Sequence, residues 1–155
     1  MIEDNGNSLP DPAKFSSWIR YRRVVAWILR FVQNTRLHTN ERILTSLKAR
    51  EIRQAEEDLI KRAQAESFPK DIEYLKTKRE LPSRSRLLPL RPFLDADGFL
   101  RVGGRLRKSP LLETARNPII LDPSHAVTRL IIAHYHQRLY CSGVEHVLNE
   151  LRQQH

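Results

Sequence analysis

Three prolines and six basic residues between Lys76 and Pro92 divide this chain more sharply than any other feature of it. Pro82, Pro89 and Pro92 each lack an N–H and fix φ, so no helix interior or central strand can run through them. Lys76, Lys78, Arg79, Arg84, Arg86 and Arg91 lie among them. Residues 78–92 therefore read as a basic, extended, proline-containing linker with an element-bearing region on either side.

On the N-terminal side, residues 1–14 are polar, carry Pro10 and Pro12, and read as a flexible leader. Residues 15–77 read as helical. From Phe15 to about Asn34, Phe15, Trp18, Val25, Ile28, Leu29 and Val32 recur at three- and four-residue spacings, with Ser16 or Ser17 as cap. Arg20, Arg22, Arg23 and Arg30 are placed on the opposite, solvated side. A second helix is expected from Thr45, as N-cap, to about Ala65. Its narrow stripe is Leu47, Ile52, Ala55, Leu59 and Ala63. Glu51, Glu56, Glu57 and Asp58 alternate there with Arg53, Lys61 and Arg62, which reads as an exposed helix laced by its own ion pairs. Ser67 then looks like a fresh cap, with Pro69 at the first position of a short helix to Lys76.

On the C-terminal side, Asp97-Gly98 between two apolar runs signals a hairpin within residues 88–103, and Pro118 to Leu121 a short strand. Asp122-Pro-Ser-His starts a helix to about Tyr140, with Val127, Leu130, Ile131, His134 and Leu139 on one face. Ser142-Gly143 breaks it, and Val144, Val147, Leu148 and Leu151 form the stripe of another. The expected fold is mainly α with a small antiparallel β-hairpin, an α+β class. N-terminal helices come first, then a hairpin and two-helix module over residues 93–155.

The balance of 27 Lys and Arg against 18 Asp and Glu gives the 155-residue chain a net charge of +9. Such a balance favours polyanionic partners, because phosphate contacts by Lys and Arg release condensed counterions. The single cysteine, Cys141, rules out an intramolecular disulfide and with it a secreted disulfide scaffold. The first residues have neither the basic nor the apolar region of a signal peptide. The longest apolar run, Val24 to Leu29, falls far short of the roughly 20 residues a membrane span needs. An intracellular, reducing location and no membrane partner are the expectation.

Five of the six histidines, His125, His134, His136, His146 and His155, lie after residue 120, with Cys141 among them. Imidazole and thiolate are natural zinc ligands, and a structural site needs four. His136 precedes Cys141 by five residues, with a glycine turn following. A His-x4-Cys pair is a weak signal alone, since a packed histidine and a buried thiol are the commoner reading.

The block from Ile131 to Gln154 resembles the opening of the integrase zinc-binding domain of retroelements. There the usual pattern is His, four residues, His, one residue, Gly, then a Leu-Arg-rich helix. The segments Leu94 to Leu106 and Asn117 to Leu121 look like the stretch before that domain in BEL/Pao-type retrotransposon polyproteins. Trp18 to Arg36 and Ala65 to Ile72 look like the connection between the ribonuclease H and integrase regions. By this resemblance His136 takes the first ligand position and Cys141 the second, where the family usually has histidine. His134 and His146 are weaker candidates. The family's downstream Cys-x-x-Cys is not reached, so any zinc site is expected to be incomplete.

The resemblance implies a non-catalytic polyprotein fragment in the nucleus or a cytoplasmic retroelement particle. It would support DNA integration by contacting a DNA or RNA backbone and by self-association. Lys76, Lys78, Arg79, Arg84 and Arg86, with Arg101, Arg105, Arg107 and Lys108, are the phosphate-contacting candidates. No enzymatic role is expected: the family's integrase carboxylates lie on a separate domain, and there is no Gly-x4-Gly-Lys loop. The alternative is a helical protein–protein interaction module without nucleic acid, whose Trp18, Trp27 and Phe31 dock a partner helix.

Overall fold

Ser17 starts the first helix: extended itself, it accepts the Arg20 N–H on its Oγ at 3.4 Å. In the computed structural model, which describes residues 9–103 and 117–138, this helix, α1, runs Trp18–Thr35. It is followed by α2 at Ala49–Ser67 and α3 at Pro69–Lys76. Strands β1 at Phe93–Leu94 and β2 at Leu100–Arg101 come next, and then α4 at Ala126–Arg138. The described residues are thus mainly helical with a two-stranded antiparallel hairpin, an α+β arrangement.

The N-cap of the second helix falls three residues later than expected. Lys48, not Thr45, stands at the N-cap, and the Glu51 carboxylate reaches back to accept its N–H at 2.8 Å. The carbonyls of Thr45 and Ser46 are instead taken by Arg30 of α1. Between α1 and α2, Asn34 holds the chain with two bonds to the backbone of Ile43. Phe68 is shared between the end of α2 and the start of α3, where Pro69 needs no N–H partner.

The hairpin pairs Phe93 with Arg101 and Leu94 with Leu100. Its turn is built on Asp95, whose Oδ1 accepts the N–H groups of Asp97 and Phe99, with Gly98 at φ 86°. The strand expected near residue 118 pairs only briefly. Arg101 bridges Ile119, the Val102 N–H bonds Pro118, and the Ile120 N–H bonds Leu100. Gly103 donates to the Arg91 carbonyl at 3.1 Å, and a Cβ there would lie 2.2 Å from that oxygen. Only glycine fits so close an approach.

One apolar cluster joins three helices and the hairpin. Trp18, Tyr21, Val25 and Ala26 of α1 meet Ala55, Leu59, Ile60 and Ala63 of α2, with Phe99 and Val127, Leu130, Ile131 and Tyr135 of α4. Far from being an exposed helix, α2 is the shared partner of α1 and α4. A second cluster gathers Phe68, Leu87, Leu100 and Ile120. Leu87 in that cluster corrects the extended-linker expectation. Residues 78–92 turn at Pro82–Ser85, form a 3-10 turn at Leu88–Leu90 and pack against the hairpin.

The arginines of α1 also depart from expectation. Arg30 is buried, clamped on the Glu51 carboxylate and the carbonyls of Thr45 and Ser46, with its guanidinium 4.9 Å from the Trp27 ring centre. Arg22 reaches Glu56 at 2.6 Å. Two carboxylates of α2 therefore pair across the helix interface. Trp27 and Phe31, in contrast, face outward.

Candidate nucleic-acid interface

The end of α3 fixes how the basic run is presented. Thr77 is the C-cap and Lys78 adopts the left-handed conformation at φ 54°. The Lys78 N–H bonds Leu75 and the Arg79 N–H bonds Tyr74, the pattern of a Schellman turn. A non-glycine residue in that conformation costs on the order of 1 kcal/mol. Lys76, Lys78 and Arg79 stand exposed around this turn, at the negative end of the helix dipole, and Arg84 is exposed on the next turn. None of these four forms an ion pair among the described residues.

The other two described candidates are ion-paired. Arg86 meets Asp122 at 2.5 Å and lies over the Phe68 ring at 5.0 Å, tying the segment to the start of α4. Asp122 is held below the usual carboxylate range, first by the Ser124 N–H and then by Arg86. Arg101 meets Asp95 at 2.5 Å, donates to the Asn117 carbonyl and lies over Phe99. For Asp95, burial works to raise the pKa, but the Arg101 bond and the N–H groups of Phe99 and Asp97 outweigh it and hold the carboxyl low. Arg101, its side chain only 15% exposed, braces the hairpin and is ill suited to a phosphate, whereas the Arg86 side chain stays 65% exposed beside Asp122. Arg105, Arg107 and Lys108 lie outside the described residues.

The metal candidates divide similarly. His136 is exposed on the last described turn of α4, while His134 is half-buried with its ring edge-on to Tyr135 at 5.3 Å. Burial, followed by the nearby Arg22 and Arg138 charges, lowers the His134 pKa and favours its neutral form. Residues two apart on a helix do not face each other, so α4 itself does not converge the two rings. Cys141 and His146 lie outside the described residues. Among the described residues no group of three or more His, Cys, Asp or Glu is placed to hold a metal ion.

Two features went unread in the sequence, and a third was read only in part. Gln64 is buried and bonds three backbone groups of the hairpin region. His125 accepts the Val127 N–H on Nδ1, which leaves Nε2 to donate to Glu66 at 2.9 Å. The outward ridge of α1 carries Ile19, Trp27 and Phe31, whereas Trp18, expected beside them, is in the core. No helix among the described residues is long and apolar enough to cross a membrane. No protein-family model, curated protein or solved structure matches the chain.

Proposed function

We propose that this chain is a non-catalytic part of a BEL/Pao-type retrotransposon polyprotein that contacts a DNA or RNA backbone. It would span the region joining ribonuclease H to integrase and open the integrase zinc-binding module. The resemblance of the Leu94 to Leu106 and Ile131 to Gln154 blocks supports the family. The observation that carries the nucleic-acid reading is the exposed set Lys76, Lys78, Arg79 and Arg84 on consecutive turns. Contacts of this kind position a duplex without reading its sequence. His136 and Cys141 would supply the first two zinc ligands.

The test is fluorescence anisotropy of a labelled random-sequence duplex across about 50 to 200 mM salt. Each phosphate contact contributes about 0.9 to the logarithmic salt slope. Changing Lys76, Lys78, Arg79 and Arg84 together to glutamine is expected to flatten that slope by roughly 2 to 4 units. A shallow slope that the quadruple variant leaves unchanged would overturn the reading.

A further inference from the structure

The outward face of α1 has a composition that the core does not explain. Ile19, Arg23, Trp27 and Phe31 follow one another at four-residue steps, the row that forms a packing ridge on a helix. Ile19 is 41%, Trp27 47% and Phe31 68% exposed. Arg20 and Val24 run alongside. Ser17, Ile19, Arg20, Arg23, Val24 and Trp27 line a shallow groove of about 520 Å³. No Asp or Glu occurs anywhere in Trp18–Thr35. A row of exposed large apolar side chains beside such a groove marks a contact site. Trp27 is also held by the buried Arg30 guanidinium, so the largest side chain of the ridge is preorganised.

We propose that this ridge docks an acidic amphipathic helix of another protein. Ile19, Trp27 and Phe31 would fill the spaces along its apolar stripe, with carboxylates meeting Arg20 and Arg23. Charge complementarity selects this occupant. Arg23 sits in the ridge itself, four residues from both Ile19 and Trp27, so whatever covers those two side chains must bring an acceptor to the guanidinium between them. A carboxylate on a facing helix satisfies it. A second copy of the chain would bring arginines against arginines. Ile19 and Phe31 lie roughly 18 Å apart along the axis at 1.5 Å per residue, so about three to four turns of partner helix span the ridge.

The probe is a dye-labelled synthetic helix of about four turns with leucines at four-residue steps flanked by glutamates. Its control has the same leucines flanked by lysines. Anisotropy with the full chain at low salt is expected to show binding of the glutamate peptide and none of the lysine peptide. Combined Trp27→Ala and Phe31→Ala should weaken binding at least tenfold. Combined Arg20→Glu and Arg23→Glu should reverse the preference. All four side chains are exposed or on the rim, and circular dichroism confirms that each variant keeps its helices. Equal binding of both peptides, or of neither, overturns the proposal. So does binding that survives both double variants. Two further results overturn it in favour of another occupant: co-sedimentation with phosphatidylserine vesicles, or a dimer in sedimentation equilibrium, that only the intact ridge supports.

Discussion

Gln64 performs the part of a neighbouring strand. Its amide nitrogen donates to the carbonyls of Leu100 and Ile120, both at 2.8 Å, and its oxygen accepts the Leu100 N–H at 2.9 Å. A single primary amide thus supplies both polarities that a peptide unit would. In sequence it is an ordinary polar residue in a charged helix, and nothing about its spacing signals burial. Gln64→Leu leaves the Leu100 N–H and the Ile120 carbonyl without partners. It is expected to lower stability by about 2 to 4 kcal/mol in urea unfolding. Gln64→Glu places a carboxylate against two carbonyls, which raises its pKa, so the stability of that variant should fall as pH rises. A Gln64→Leu variant as stable as the parent would show that the bonds contribute nothing net.

The described helices were legible, because threefold and fourfold apolar spacing and Pro69 are local signals; the helix expected on Val144, Val147, Leu148 and Leu151 lies outside the described residues. Partners of charges were not legible. Glu51 and Glu56 sit among Arg53, Lys61 and Arg62 in sequence, yet they pair with Arg30 and Arg22 on α1. Arg86 and Arg101 likewise read as free cations, although their carboxylates, Asp122 and Asp95, lie 36 and 6 residues away. The basic composition of the candidate interface was therefore visible, and its division into braces and exposed cations was not. The α1–α2 pairing has a pH signature. The Arg30 bond, then the Lys48 N–H, hold Glu51 below the ordinary carboxylate range. Stability from a depressed carboxyl is present above the unfolded pKa and is lost as pH falls through the folded one. Glu51→Gln should be less stable than the parent at neutral pH. The difference should shrink in denaturant titrations as pH drops below the carboxylate range.

Since α1, α2, Phe99 and α4 share one apolar cluster, the regions on either side of residues 78–92 depend on each other. Leu59, 2% exposed, touches the middle of that cluster. Leu59→Ala is expected to cost about 2 to 5 kcal/mol. Unfolding followed by near-ultraviolet and far-ultraviolet dichroism should shift as one transition. Separate transitions, only one of them moved, would mean that the halves fold independently. The four arginine–carboxylate pairs among the described residues have a different consequence for encounters in solution. Removing four charges of each sign leaves the net charge at +9, so a distant polyanion is drawn as strongly as the full sequence dictates. Within a Debye length, about 8 Å at physiological salt, each pair is only a short dipole. Capture and grip are thereby both set by the unpaired cations. Changing Lys76, Lys78, Arg79 and Arg84 to glutamine lowers the net charge from +9 to +5, so association should slow as well as release hasten.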